Sequence, residues 1–181
     1  MTNITGLTIT SNSITINYNN YKSITNIKNA VNLYQKSKAD AIKQYGPIKY
    51  WNTLNVNNMA NLFKNKSFNE DISGWDVSNV NNMNYMFLNA NKFNQPLDNW
   101  NVSHVTHMNN IFGNATDFNQ PLESWNVSKA IDMGNMFNSA KSFNQDLSNW
   151  NVLNVQSMYT MFQNAEIFNQ PLDNWNVSKA N

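Results

Sequence analysis

Two pairs of ionisable side chains have a spacing that could support chemistry. The first is His104 and His107, which lie three residues apart, as two histidines that share a metal ion on one helix often do. These are the two histidines of the chain, so no other repeat can supply a third imidazole. We therefore expect no metal site here.

The second pair is Asp98 and Glu123, which would lie about 5 Å apart if consecutive repeats stack like neighbouring strands. A carboxylate pair acts as general acid and base only where a pocket gives the two groups different pKa values. Both residues stand in polar turn sequences, so we expect them to be solvated. The sequence also lacks a nucleophile elbow, a phosphate-binding loop and a dinucleotide fingerprint. We predict no catalysis and no cofactor.

The spacing of these carboxylates reflects a repeat of 25 residues. The stretch FNQPLDNWNVS begins at Phe93 and again at Phe168, and near copies begin at Phe118 and Phe143. A fixed period of this length is typical of stacked repeats. We predict an N-terminal cap over residues 1–50, and over residues 51–181 a solenoid of five 24- or 25-residue repeats plus a partial sixth. All six Trp occupy one repeat position: Trp51, Trp75, Trp100, Trp125, Trp150 and Trp175.

Each coil should contain one short strand and one short helix. In residues 75–99, Trp75 and Val77 alternate with polar residues, which favours a strand, and an apolar stripe from Val80 to Ala90 favours a helix. Ser78 would be the helix N-cap, with Ser103 and Ser128 as its equivalents. The predicted fold is an α/β repeat solenoid with a parallel sheet on one face.

The first 50 residues have different patterns. Apolar residues alternate with polar ones over residues 7–18 around a Ser-Asn-Ser turn, which predicts a β-hairpin. A stripe over residues 24–34 predicts a helix, and a second helix should begin after Ser37 and end at Gly46. We expect these elements to cover the open core of the first coil.

Two columns of polar residues follow from stacking. The Asn after the second Phe of each coil is flanked by core residues, so we expect it to be buried and to bond the backbone of the next coil. This predicted asparagine ladder comprises Asn69, Asn94, Asn119, Asn144 and Asn169. The outward strand positions form a candidate binding face, although solvated strand residues would give the same pattern: Asp76, Asn101, Asn126, Asn151, Asn176, Ser78, Ser103 and Ser128.

Composition narrows the classes of partner. The chain has no Cys, which excludes disulfides and Cys-ligated metals. All twelve basic residues are Lys, and the absence of Arg weighs against nucleic acid. Residues 1–50 carry six Lys and one acid, whereas residues 51–181 carry six Lys and ten acids. This basic cap on an acidic stack could steer a partner, or could be an ordinary solvated surface.

The termini give further expectations. The N-terminal sequence has neither the basic nor the apolar region of a signal peptide, and no stretch is long enough to span a membrane. The sequence stops six residues after Trp175, in the middle of a coil. We expect either a fragment of a longer protein or an end that another chain covers, and we favour the fragment.

The stretch WDVSNVNNMNYMF (residues 75–87), followed by FNQPLDNW, resembles the BspA-like leucine-rich repeat of Mycoplasma surface lipoproteins. The resemblance covers residues 51–181 and implies a leucine-rich-repeat-like fold with adhesion or protein binding as its function. It implies a surface location, whereas the sequence as written, without signal peptide or lipidation Cys, favours an intracellular or virion location.

We therefore predict a non-catalytic repeat protein that binds a protein or a glycan, with no nucleic acid, membrane span, metal or cofactor. The alternative is a structural module that assembles end to end through its uncapped C-terminal end.

Overall fold

The computed structural model describes residues 7–10, 13–16, 24 and 26–181. Strand β1 (Leu7–Thr10) pairs antiparallel with strand β2 (Ser13–Ile16), with Leu7 opposite Ile16. This is the register that the alternating pattern requires. The predicted turn residues 11–12 and Tyr18 lie outside the described residues.

Two helices follow these strands, and both predicted helices are confirmed. Helix α1 comprises Ile27–Lys36 and helix α2 comprises Lys38–Tyr45. The Ser37 hydroxyl accepts a hydrogen bond from the backbone N–H three residues later, so it caps α2. Helix α2 ends at Gly46, whose φ of 79° suits a residue without Cβ. A 3₁₀ turn, Ile48–Tyr50, then leads into the first coil.

The α/β solenoid predicted for the repeats is wrong. Residues 51–181 form stacked coils, but these coils contain neither a helix nor a strand, and no parallel sheet covers one face. The strand-like pairing between coils is limited to one isolated parallel bridge per coil pair. These bridges join Asn58 to Asn82, Asn82 to His107, His107 to Asp132 and Asp132 to Ser157.

The helix predicted over Val80 to Ala90 does not form, and residues 83–90 of this stretch are a run of β-turns. We call residues 83–90 and their equivalents the turn segments. Backbone hydrogen bonds of 3.1 and 2.9 Å close the turns 83–86 and 87–90. Tyr85 and Asn89, the third residues of these turns, each have a φ of 59°, as type II turns require. The same left-handed backbone occurs at Asn61, Asn65, Asn110, Asn114, Asn135, Ser139, Thr160 and Asn164.

Turns and a helix give the same apolar spacing here. Two turns that start four residues apart place Met83 and Phe87 on one side of the segment. Residues four apart in a helix also lie on one side. Both side chains are fully buried. The stripe therefore predicted the correct buried residues and the wrong backbone.

The turn segments carry most of the backbone hydrogen bonds between coils. Every second N–H group, at Met83, Tyr85, Phe87 and Asn89, donates to a carbonyl group of the following coil at 2.8–2.9 Å. A helix would use these N–H groups internally and leave the coils without such bonds. The acceptors are the carbonyl groups of His107, Asn109, Ile111 and Gly113.

The segment predicted as a strand is an unpaired extended stretch. Trp75 and Val77 are buried and Asp76 is exposed, so the alternation is present. However, the Ser78 N–H donates to the Asp76 carboxylate at 2.9 Å instead of to a neighbouring strand. A local side-chain acceptor therefore replaces the expected ladder bond.

Aromatic side chains of successive coils stack in the core. The rings of Phe87 and Phe112 are 5.6 Å apart and 4° from parallel, and within one coil Phe87 and Phe93 are 4.0 Å apart. The Trp125 indole N–H donates at 2.9 Å to the carbonyl of Leu97, which lies just before the Trp of the preceding coil. The other repeats make the equivalent bond, from Trp100 to Ile72, Trp150 to Leu122 and Trp175 to Leu147.

The N-terminal elements contact the first coil through an aromatic pair and two ion pairs. Tyr34 of α1 meets Trp51 edge to face at 5.9 Å. Lys38 pairs with Glu70 at 2.7 Å, and Lys49 pairs with Asp71. Burial raises the pKa of Asp71, but hydrogen bonds from Lys49 and a neighbouring serine outweigh it and leave that pKa below its usual value. Two lysines of the basic cap are thus paired with acids of the stack.

The left-handed turn positions give a stability prediction. Asn61 has a φ of 63°, is exposed and makes no side-chain hydrogen bond within the described part of the chain. Asn61→Val should lower the free energy of unfolding by about 1–2 kcal/mol, because a β-branched residue is strained in this region. Asn61→Gly, the matched control, should change it by less than about 0.5 kcal/mol. Urea denaturation of both variants tests this, and equal losses would contradict it.

Candidate functional site

The histidine pair lies at the start of a turn segment. His104 is exposed, and His107 is half-buried and takes part in a parallel bridge to the coils on both sides. The His107 Nδ1 atom is 2.8 Å from the Thr106 hydroxyl. Among the described residues, no group of three or more His, Cys, Asp or Glu side chains is arranged to hold a metal ion. The geometry around His107 is that of a structural residue.

The carboxylate pair is also on the surface. Asp98 and Glu123 are both exposed. The Ser124 hydroxyl donates to the Asp98 carbonyl at 2.6 Å, so this part of the turn is used to join two coils. Two exposed carboxylates lack the enclosing pocket that acid and base catalysis needs.

The candidate binding face is a column of turns, not the predicted sheet surface. Each side-chain oxygen accepts a hydrogen bond from the backbone N–H two residues later, in an Asx turn. We call these residues the Asx column, and all five are exposed: Asp76, Asn101, Asn126, Asn151 and Asn176. The bonds measure 2.9, 3.2, 3.1, 3.2 and 3.1 Å in that order.

The serines beside this column do not have the predicted role. Ser78, Ser103 and Ser128 cannot be helix N-caps, because no helix follows them. Each is half-buried, and its backbone N–H is the donor that closes the Asx turn. These serines therefore lie next to the Asx column, and what the three share is the hydrogen bond donated by the backbone N–H, not one made by the hydroxyl.

The second asparagine column joins consecutive coils. The Asn94 side-chain oxygen accepts from the backbone N–H of Asn119 at 3.0 Å, and Asn119 accepts from Asn144 in the same way. Asn69 bonds Asn94, and Asn144 bonds Asn169, at 2.9 Å each. The expectation that these residues are buried is wrong, because they are half-buried or exposed.

A glutamine column, which the sequence analysis missed, completes this arrangement. The Gln120 amide nitrogen donates at 2.9 Å to the Asn94 oxygen that already accepts the backbone bond. The sequence signal was available, because the FNQ triplet recurs with the period of the coils. The corresponding bonds join Gln95 to Asn69, Gln145 to Asn119 and Gln170 to Asn144.

A shorter amide ladder runs along the turn segments. The Asn89 side chain donates to the Asn65 side-chain oxygen at 2.7 Å, and Asn114 donates to Asn89 at 3.0 Å. These three residues have the left-handed backbone. Asparagine at these positions therefore serves both the turn and the contact between coils.

Two cavities lie near the N-terminal elements. The larger, of about 450 Å³, is lined by Tyr50, Trp51, Leu54, Gly74 and Asp76 among others. The smaller, of about 200 Å³, is lined mainly by Asn26 and residues 55–58. Neither combines the nucleophile, base and oxyanion donors of an active site.

Within the described ranges, neither helix has the length and apolar content that crossing a bilayer requires.

The asparagine ladder gives a second stability prediction. Asn119→Leu should lower the free energy of unfolding by about 1–2 kcal/mol, because the half-buried Asn144 N–H loses its acceptor. Asn119→Asp keeps an oxygen at this place and should stay within about 0.5 kcal/mol of the natural chain. Denaturation midpoints and the hydrogen-exchange rate of the Asn144 amide test both. Unchanged protection of that amide in the Leu variant would contradict the prediction.

Comparison with curated proteins gives no match, and no solved structure matches either. A protein-family comparison matches residues 7–133 and, overlapping them, residues 97–181. Together these matches extend from residue 7 to the end of the sequence. The chain belongs to the family described as Mycoplasma protein of unknown function, DUF285.

Proposed function

We propose that this chain is a non-catalytic binding protein and that a partner protein docks along the Asx column. The observation that carries this proposal is the recurrence of one exposed group at the same place on successive coils. Each side chain of the column is fixed by the bond within its own turn. Side chains that are already ordered lose less freedom when a partner binds.

The size of a protein interface explains why several coils would act together. A stable complex covers about 800 Å² on each partner, which involves some 20–30 residues. One Asx turn is far smaller than this, and adjacent turns are too close to receive separate proteins. One partner would therefore contact at least three neighbouring members of the column.

The chemistry-bearing side chains support a binding role over an enzymatic one. His104, Asp98 and Glu123 are exposed, and repetition distributes similar groups along the stack instead of gathering different groups in one pocket. The resemblance of the repeat to the BspA-like surface proteins favours the same role. A location on a cell surface is part of this proposal and rests on that resemblance alone.

A crosslinking pull-down from candidate host and neighbour extracts tests the docking face. The variant Asn101→Lys, Asn126→Lys, Asn151→Lys should lose a partner that the natural chain captures, with affinity reduced at least about tenfold by bulk and charge. The control is Asn57→Lys, Asn81→Lys, Gln156→Lys, which adds the same charge at exposed positions without side-chain hydrogen bonds in the described chain. Capture by both variants would place binding elsewhere, and capture by none of the three proteins would count against the proposal.

The second candidate function is end-to-end assembly, and the last coil carries the observation in its favour. Tyr159 and Ile167 are 70% and 53% exposed there. In each earlier coil, four backbone N–H groups of the turn segment donate to carbonyl groups of the following coil. The equivalent N–H groups of the last coil have no acceptor among the described residues. They belong to Met158, Thr160, Phe162 and Asn164.

The direction of these bonds limits the form of an assembly. Two last coils facing each other would oppose donors to donors, so a closed symmetric dimer through this end gains no backbone bonds. A head-to-tail contact supplies acceptors, but it does not close and leads to open-ended growth.

Light scattering across a wide concentration range tests this candidate. End-to-end assembly predicts a mass that rises continuously with concentration and falls to that of the monomer in Tyr159→Lys, which adds a charge to the contact. A constant monomer mass for the natural chain would reject assembly through this end.

A further inference from the structure

The asparagine and glutamine side chains beside the second Phe of each coil form a row of identical units, which we call the amide row. One unit consists of an Asn and the Gln of the following coil. In the unit Asn94–Gln120, the Asn oxygen accepts both the backbone N–H of Asn119 and the Gln amide nitrogen, at 3.0 and 2.9 Å. The other units are Asn69–Gln95, Asn119–Gln145 and Asn144–Gln170.

Within the described chain, each unit leaves the Asn NH₂ group and the Gln oxygen without a partner. The Asn oxygen accepts two hydrogen bonds, one of which comes from an N–H of the Gln amide. In the part of the chain that the structure describes, none of these remaining atoms has a protein partner. No buried side-chain polar atom there lacks a hydrogen bond, so the remaining atoms face water.

The orientation of these free groups is fixed. An isolated amide on a surface rotates freely and must be immobilised when it binds. Here one atom of each amide is already hydrogen-bonded within the ladder, so the amide loses little rotational freedom when a ligand binds. Successive coils thus present aligned donors and acceptors in a row along the stack.

We propose that the amide row binds a neutral, hydroxyl-rich polysaccharide that lies along the stack. This inference rests on the proposed function in treating the chain as a binding protein, and adds a second surface with a second class of partner. A hydroxyl group both donates and accepts. Two neighbouring hydroxyls of one sugar can therefore satisfy the NH₂ group and the oxygen of one unit.

The surroundings of the row suit a sugar ring. Pro96 and Pro121 directly follow the glutamines of two adjacent coils and are exposed. Their rings provide an apolar surface beside the polar row. A sugar has the same combination, because its C–H face is apolar and its hydroxyl groups lie at the edge.

A polypeptide strand fits the row less well. Coils joined by backbone hydrogen bonds repeat at about 4.8 Å, whereas a strand repeats its outward N–H and C=O groups at about 6.6–6.8 Å. A strand along the row would lose register by about 2 Å at each coil. A polysaccharide can adjust its rise because each glycosidic linkage contains rotatable bonds.

Calorimetric titration of the full chain with cellohexaose and chitohexaose tests the inference. Gln95→Met, Gln120→Met, Gln145→Met removes three free amide oxygens and the bonds that fix the neighbouring Asn amides, adds no charge, and keeps the Asn oxygens that accept the backbone bonds of the ladder. We expect the natural chain to bind at least one of the two hexasaccharides and this variant to bind it at least about tenfold more weakly.

The matched control is Asn57→Met, Asn81→Met, Gln156→Met, which introduces the same side chain at three exposed positions outside the amide row and the Asx column. These three side chains make no hydrogen bond within the described chain, so the fold should accept the changes. We expect the control to retain the affinity of the natural chain within about twofold.

Two results would overturn the inference: no binding of either hexasaccharide by the natural chain to about 5 mM, or equal loss in the row variant and the control variant. These outcomes differ from failure of the proposed function. A chain that captures a protein through the Asx column but binds neither sugar overturns the amide-row inference alone. A chain that binds sugar through the row and captures no protein supports the inference and counts against protein docking.

Discussion

The hydrogen bonds between turn segments are the constraint on which the rest of the structure depends. Alternate N–H groups of a turn segment, such as those of Tyr85 and Phe87, donate to the following coil, while those between them close the turns of their own coil. Neither an α-helix nor a regular strand divides its N–H groups in this way. The division requires a left-handed residue in each type II turn, which accounts for the many asparagines of these segments.

Once the backbone fixes the distance between coils, each side chain lies against its own counterparts. Apolar residues can repeat without penalty, as Phe87 and Phe112 do. Identical charges at this distance would repel, whereas an amide carries both a donor and an acceptor and can bond a copy of itself. Charged residues make up only 13% of the chain, and two pairs in register have opposite signs: Lys92 with Asp117, and Lys141 with Glu166. Asp98 and Glu123, which are in register with the same sign, are both exposed to water.

The sequence allowed the period, the core columns and the two asparagine columns to be identified, but not the backbone that carries them. Met83 and Phe87 are buried as predicted, yet a stripe with spacings of three and four residues fits a helix and a run of type II turns equally well. Asparagines four residues apart, such as Asn110 and Asn114, were the available sign of turns, because asparagine is a poor helix former and accepts a positive φ. Hydrogen bonds such as that of the Trp125 indole depend on three-dimensional placement and could not be predicted from spacing.

The side chains of the Asx column are bonded within one coil, whereas those of the amide row are bonded between coils. Substitutions in the two places should therefore affect the stability of the stack to different degrees. An Asx turn closes within one coil, so a change at Asn126 affects one turn and leaves the contacts between coils intact. The oxygen of Asn119 instead holds the backbone and the glutamine of the next coil, so its loss weakens the stack as well as the surface. The Asx column can therefore vary in charge and shape at little structural cost, as Asp76 already illustrates. The amide row must remain uniform to keep the coils together, which suits it to a partner that is itself a repeating polymer.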